Sequence, residues 1–218
     1  MTSLQSSIII GLTGHKQVGK DTIADYLCRT FGFKKLAFAN PLKNAAREVF
    51  GFSDAQLYGD QKEVIDPFWN VTPREVLQVV GTDLFHLTLP QFIPQIGNQI
   101  WTRTLERQLQ QERLQNPRQS FVVTDVRYPN EAEVVHRFGG ILMRVERPDL
   151  TSGLTLGGQL FATHLSETAM NNEPYDLLIR NNGSIDQLFV NVNFIVESIS
   201  NKREKMIHHE ELFLAKDH

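Results

Sequence analysis

The residues best suited to chemistry lie near the start of the chain, in a glycine loop that follows an apolar run. Gly14 and Gly19 enclose four residues, and Lys20 follows directly. This spacing lets backbone N–H groups converge on the phosphates of a nucleotide, while the lysine ammonium reaches the β and γ groups. The pattern is short, so its context decides between a phosphate loop and a glycine-rich turn with an exposed lysine.

The surrounding residues supply that context. The β-branched run Ile8–Ile10 predicts a strand before the loop, and apolar residues at helical spacing, from Ile23 to Phe31, predict a helix after it. One position departs from the usual pattern: Asp21 follows the lysine where Ser or Thr normally holds Mg²⁺, and the hydroxyl comes one residue later, at Thr22. The order of elements favours a phosphate loop of an unusual kind.

A second candidate group follows another apolar strand. The run from Phe121 ends in Asp125, with Arg127 two residues later. Ligands of parallel sheets sit beyond the carboxyl ends of the strands, so these side chains are expected beside the glycine loop. An acid in this position organises Mg²⁺ directly or through water. The alternative for Asp125 is a turn residue that flanks a helix.

Phosphoryl transfer between two polyanions needs cations, because two unit charges 4 Å apart repel by about 4 kcal/mol at an effective dielectric constant of 20. Lys20 and Arg127 are the first candidates. Further arginines that could close on the phosphates are Arg74, Arg103, Arg144 and Arg147. The sequence shows no Ser-His-Asp constellation or recognisable carboxylate pair. A phosphate-monoester acceptor needs no general base, since its second pKa is about 6. The pattern therefore favours a nucleotide kinase over a sugar or protein kinase.

The remaining sequence predicts alternating strands and helices. The expected elements are a strand at 35–39, a helix at 41–50 ended by Gly51, an irregular lobe at 52–71, a helix capped by Thr72, a helix at about 98–115, a helix through Phe138, strands at 141–145 and 177–179, and a last helix capped by Ser184. This order predicts an α/β fold with a parallel sheet, in one domain spanning 1–218.

Two further features of the sequence bear on the site. Gly81 interrupts a helix at a cost of about 1 kcal/mol, which favours close approach of a ligand or backbone over a tolerated defect. The polar stretch from Arg147 to Met170 contains Gly153, Gly157 and Gly158 and has the length of a lid over a dry site. An ordinary connection is the alternative for that stretch.

Composition narrows the classes of partner. The 218-residue chain has a net charge of −3, so it lacks the basic field that non-specific binding to polymeric nucleic acid needs. The apolar run before Gly11 is too short for a membrane span, and no basic start precedes it as in a signal peptide; we expect a cytoplasmic protein. The single Cys28 excludes an internal disulfide, and no His/Cys cluster has zinc-ligand spacing.

Taken in order, these motifs resemble a known family over nearly the whole chain. They are Gly14–Thr22, Pro41-Leu-Lys43, Leu77-Gln78 leading into Gly81-Thr82-Asp83, Trp101, Asp125-Val-Arg127 with Glu131, Arg147-Pro148, His164-Leu-Ser-Glu167 and Asn181–Ser184. The set is similar to the deoxynucleoside monophosphate kinases of tailed bacteriophages. Lys-Asp-Thr is itself a trait of that family, so Asp21 becomes supporting evidence.

The resemblance implies a P-loop fold of the nucleoside-monophosphate-kinase type, with a five-stranded parallel core, an acceptor lobe at about 40–115 and a lid at about 147–170. It implies transfer from ATP, with Mg²⁺, to a deoxynucleoside monophosphate. The catalytic residues would be Lys20, Asp21, Asp125 and Arg127. The ATP site would comprise Gly14, His15, Lys16, Val18, Gly19, Lys20, Asp21, Thr22, Arg147 and Asn182. The acceptor site would comprise Lys16, Arg74, Gly81, Thr82, Trp101, Asp125, Arg127 and Glu131, with Trp101 stacking on the base. The metal ligands would be Thr22, Asp21 and Asp125, directly or through water.

Two other functions stay open at this stage. One is a P-loop kinase for another small acceptor, such as dephospho-coenzyme A or phosphomevalonate. The other is a nucleotide-binding regulator that keeps the loop without transferring phosphate. The segment from Asn201 also leaves open whether the protein pairs as a homodimer.

Overall fold

A five-stranded sheet, in which all neighbouring strands run parallel, forms the centre of the fold. The computed structural model describes residues 7–148 and 169–214. The strands are β1 (Ile9–Thr13), β2 (Lys34–Leu36), β3 (Phe121–Val123), β4 (Ile141–Glu146) and β5 (Leu177–Arg180). Their spatial order is β2-β3-β1-β4-β5. The predicted α/β fold with a parallel five-stranded core is confirmed.

The helices follow the predicted order with small changes in their ends. They are α1 (Lys20–Phe31), α2 (Asn40–Phe50), α3 (Asp54–Leu57), α4 (Pro73–Gln78), α5 (Leu89–Phe92), α6 (Ile100–Gln115), α7 (Pro129–Arg137) and α8 (Ile185–Leu214). The N–H of Gly51 donates to Arg47 O at the end of α2, and Ser184 Oγ accepts from Gln187 N at the start of α8. Across the described parts of the chain, the helices are all too short or too polar to cross a bilayer.

The strand before the glycine loop is longer than predicted, and the next strand along the chain, β2, is shorter. β1 continues beyond Ile10 to Thr13, because it pairs with β4 from Ile10↔Ile141 to Thr13↔Arg144. Gly11 lies inside this strand: a Cβ there would stand 2.9 Å from Val135 Cγ2 on α7. The turn of the phosphate loop therefore begins at Gly14.

Contacts within the chain define two compact units, Met1–Ala37 with Leu109–His218, and Phe38–Gln108. The first unit contains the sheet. Its core joins buried residues of β1, β3 and β4 with those of α1 and α8, including Leu12, Val122 and Val192. The second unit has a smaller core of its own, formed by Ala46, Phe52, Leu57 and Val76.

The stretch 52–71, predicted to be irregular, contains two short turns of helix in the second unit. Ser53 caps α3, because its Oγ accepts from Gln56 N while Gln56 Oε1 accepts from Ser53 N. A 3₁₀ turn follows at Asp60–Glu63. Such short elements carry too few residues to show a period in the sequence.

The sequence predicted that Gly81 interrupts the helix that begins after the Thr72 cap. In the structure the helical chain continues through Gly81. After α4 the chain winds more widely, as a π-helix over Val79–Thr88, and then continues into α5. Gly81 is buried within this π-helical segment. π-Helical turns are rare and often occur at functional sites.

The predicted lid lies mostly outside the described residues. Gly153, Gly157 and Gly158 fall there, as does the motif from His164 to Glu167. The lid therefore stays a prediction.

Candidate active site

The phosphate loop between β1 and α1 needs glycine at both ends. Gly14 has φ +131° and Gly19 has φ +108°, which L residues rarely adopt. Space restricts both positions as well: a Cβ on Gly14 would collide with the backbone oxygen of Val145 on β4, and one on Gly19 would stand 2.6 Å from Asn181 Nδ2, so that the Asn181 side chain would have to move. The ends of β4 and β5 thus fix the loop on two sides.

Lys20, the first residue of α1, folds back over this loop. Its Nζ donates to Gly14 O at 2.7 Å and to His15 O at 2.6 Å. These bonds hold a cation above the turn, at the start of a helix where the backbone already favours anions.

A pocket opens at the carboxyl ends of β1, β3 and β4, within the first unit. The loop contributes Gly14, His15, Lys16 and Lys20, and the turn after β3 contributes Arg127. Arg144 on β4 also lines the pocket. The structure thus brings the predicted loop residues and Arg127 together at the sheet edge where ligands of parallel sheets bind.

Glu131 reaches back from α7 to the turn that carries Arg127. Its Oε2 accepts from Arg127 N at 2.7 Å and from Tyr128 N at 3.2 Å, and the residue is 8% exposed. Burial, together with the negative charge of Asp125, raises the pKa of Glu131 to about 8 against the opposing effect of the two N–H donors and of the Arg127 charge. Glu131 therefore holds the backbone of the turn, which the sequence did not predict.

The other arginines proposed from sequence have different surroundings. Arg144 donates to the carbonyls of Met170, Asn171 and Glu173, and its guanidinium lies 4.6 Å from the Tyr175 ring centroid. It therefore fastens the chain that precedes β5. Arg147 and Asn182 are exposed, and Arg103 donates to Gln95 O in the second unit.

Asp21 and Thr22 sit in the first turn of α1 with unequal exposure. The Asp21 carboxylate is 83% exposed and lies 3.3 Å from Lys35 Nζ, which also contacts Asp25 at 3.0 Å. Thr22 is half-buried. Over the residues that the structure describes, no three His, Cys, Asp or Glu side chains cluster as a metal site would.

The second unit brings two predicted acceptor residues together. Trp101 Nε1 donates to Gly81 O at 3.1 Å, and its ring meets Phe85 edge-on at a centroid distance of 5.4 Å. A Cβ on Gly81 would stand 2.6 Å from Leu42 Cδ2, so the close approach predicted there is to a side chain of α2 rather than to backbone. Thr82, the next residue, is exposed.

Arg74, at the start of α4 in this unit, is paired with Glu63 through its Nε. Both side chains are substantially exposed, which makes the pair weak. Sequence reasoning missed Glu63, and it named Asn181 only as part of the Asn181–Ser184 motif, without its contact to the phosphate loop. The available signal for Asn181 was its place directly after a strand, at the carboxyl edge of the sheet.

A parallel sheet with a glycine loop, a lysine and a helix start at the carboxyl end of its central strand defines a P-loop nucleotide-binding protein. Comparison with known proteins narrows the class. The family model for deoxynucleotide monophosphate kinase matches residues 56–192. A protein of Acanthamoeba polyphaga mimivirus, provisionally named a deoxynucleotide monophosphate kinase, is 36% identical over 197 residues, covering 88% of this chain and 98% of its own. The chain belongs to the deoxynucleotide monophosphate kinase family, and it is a kinase.

Solved structures with similar topology are more distant. The dephospho-CoA kinase of Campylobacter jejuni has a TM-score of 0.48 and 13% identity, covering 89% of this chain and 98% of its own. Shikimate kinase of Aquifex aeolicus has a TM-score of 0.44 and 11% identity, covering 88% of this chain and 98% of its own.

Proposed function

We propose that the protein transfers the γ-phosphoryl group of ATP to deoxynucleoside monophosphates, giving ADP and deoxynucleoside diphosphates. The observation that carries the proposal is the grouping of Lys16, Lys20 and Arg127 around one pocket beside the glycine loop. Three cations at this edge offset the repulsion between a donor and an acceptor that both carry phosphate. Family membership supports the choice of acceptor.

In this proposal the loop binds the donor. N–H groups of Gly14–Thr22 bind the β- and γ-phosphates, and Lys20 stabilises the migrating phosphoryl group. Lys20 Nζ already donates to two loop carbonyls, so its side chain loses little conformational freedom when the phosphates bind. Arg147 and Asn182 border the ribose and adenine of ATP.

The residues assigned to the acceptor form two groups. Arg127 and Lys16 neutralise its phosphate, with Asp125 and Glu131 ordering the turn around Arg127. Arg74, Gly81, Thr82 and Trp101 belong to the nucleoside side of the site. No side chain has to act as a general base, because the acceptor phosphate is mostly dianionic at neutral pH.

The oxygen donors near the loop fit Mg²⁺. This ion needs only one or two protein oxygens beside phosphate oxygens and water, which Thr22 and Asp125 would supply. Asp21 is held by Lys35 and would act only through water. When bound, Mg²⁺ neutralises charge on the transferring phosphates. We further propose that the protein is a phage-type enzyme and acts in the cytoplasm.

The test is a panel of acceptors in an ADP-release assay with ATP and Mg²⁺. The panel holds the four deoxynucleoside monophosphates, the ribonucleoside monophosphates, dephospho-coenzyme A and phosphomevalonate. We expect turnover with at least one deoxynucleotide, abolished by Lys20→Ala. Turnover confined to dephospho-coenzyme A or phosphomevalonate would reject the acceptor class. ATP binding without turnover on any acceptor would identify a regulator instead.

A further inference from the structure

Asn181 lies where the end of β5 meets the phosphate loop. Its side-chain Nδ2 donates to Val18 O at 2.9 Å, and its backbone N–H donates to Glu146 O at 2.7 Å. The side chain is therefore anchored from the end of β4 while it holds the second half of the loop. Val18 itself is 1% exposed and packs in the core of the first unit.

The bond to Val18 O sets the direction of a neighbouring N–H. The carbonyl of Val18 and the N–H of Gly19 belong to one planar trans peptide unit, in which the two groups point in opposite directions. Because Asn181 draws the carbonyl toward β5, the Gly19 N–H points the other way. Gly19 precedes Lys20, so this N–H belongs to the part of the loop that the glycine pattern assigns to phosphate.

The glycine at position 19 belongs to the same arrangement. A Cβ on Gly19 would meet Asn181 Nδ2 at 2.6 Å, so the asparagine can approach the loop only because a glycine is there. Its exposed neighbour, Asn182, has no such steric relation to the loop among the contacts described.

We propose that Asn181 is a positioning residue that orients the phosphate loop for the polyphosphate of the donor nucleotide, through its bond to Val18 O. The inference rests on the proposed use of ATP, but not on the identity of the acceptor. It assigns to Asn181 an action on the phosphates through the loop, distinct from any contact with the adenosine.

Equilibrium binding of three probes, ATP, inorganic tripolyphosphate and adenosine, separates these roles. For Asn181→Ala we expect ATP and tripolyphosphate to bind about tenfold to a hundredfold more weakly, since one N–H aimed at a charged group loses its orientation. Adenosine should bind as before. Asn181→Asp is nearly isosteric but cannot donate to Val18 O, so it should lose at least as much affinity for both phosphates.

Gln187→Ala is the matched control, because this exposed residue lies in the first turn of α8, close to Asn181 in sequence. It should leave all three affinities unchanged. Melting temperatures of each variant report whether the fold persists, and the Asp variant serves if the Ala variant does not fold. If turnover is measurable, the KM for ATP should rise while the KM for the acceptor stays constant.

The outcomes separate this inference from the proposed function. Binding of tripolyphosphate by Asn181→Ala within twofold of the unaltered protein would overturn the inference, as would a loss confined to adenosine. Both results can be obtained whether or not any deoxynucleotide is phosphorylated, because the binding measurements need no acceptor.

Discussion

Replacing Glu131 by Gln should change how the stability of the protein depends on pH. Glu131 is 8% exposed, and burial, then the charge of Asp125, raises its pKa from 4.5 to about 8. Between these two values the unfolded chain has released the proton that the folded protein keeps. Stability therefore falls as pH rises from 4.5 to 8, and it levels off above 8. The amide of the Glu131→Gln variant has no proton to release in this range and should not contribute to the fall.

The size of the effect follows from that pKa difference. Each pH unit in the window corresponds to about 1.4 kcal/mol, so the full difference of about 3.5 gives about 5 kcal/mol between the low-pH and high-pH limits. The Gln side chain keeps an oxygen that can accept from Arg127 N and Tyr128 N, so the turn is retained. At pH 5 the two proteins should have similar stability, and near pH 8 the variant should be the more stable by several kcal/mol.

Urea unfolding of both proteins, at half-unit steps from pH 4.5 to 9, measures this difference in the free energy of unfolding. The contributions of the titrating groups that the two proteins share largely cancel in the difference. Glu133→Gln removes an exposed carboxyl from the same helix and is the matched control. The growing difference should be confined to Glu131→Gln. If the free energies of unfolding of the unaltered protein and of Glu131→Gln, plotted against pH, ran parallel within about 0.5 kcal/mol over the whole range, the reasoning would be contradicted. A carbon chemical-shift titration of the Glu131 carboxyl would measure its pKa directly.

Five further substitutions, at four residues, test the candidate site. Arg127→Ala should lower turnover by roughly 10³ or more if its guanidinium meets the migrating phosphoryl group, as should Lys20→Ala; near-normal kcat in a steady-state assay would remove either residue from the catalytic group. Trp101→Phe keeps an aromatic ring but loses the donor to Gly81 O, so comparing its acceptor KM with that of Trp101→Ala separates stacking from the hydrogen bond: stacking alone predicts a KM change only in the Ala variant. Glu63→Gln should lower the acceptor KM by about twofold to fivefold, since Arg74 loses an exposed carboxylate partner that competes with the acceptor nucleotide; an unchanged KM would contradict that competition.

The features that the sequence predicted correctly are those encoded by neighbours in the chain. A β-branched run, a glycine pattern and a capping threonine each act over a few residues, so β1, the loop and α4 could be located before any contact was known. The parallel sheet followed from the alternation of strands and helices. Even the wrong end of β1 has a local cause, because Gly11 looks like a loop residue until Val135 is found against it.

The features that were missed depend on partners far away in the chain. Asp21 is separated from Lys35 by a helix, and Trp101 meets the Gly81 carbonyl across 20 residues. Hydrophobic periodicity does not reveal such a pair, since each partner, taken alone in the sequence, looks like an ordinary surface or core residue. Glu131 shows the same limit: its type and position were noticed, but only burial explains why its carboxyl binds the backbone.

The glycine pattern that first suggested phosphate binding is itself such a long-range feature. Both glycines have a positive φ, and a Cβ would in addition meet Val145 O at Gly14 and the Asn181 side chain at Gly19, at sequence separations of more than 100 residues. The loop therefore keeps its shape only while β4 and β5 end where they do. A short motif of this kind indicates a phosphate site because the neighbouring strand ends must leave room for the loop. Mutations at the ends of β4 and β5 should accordingly weaken phosphate binding before they weaken the fold.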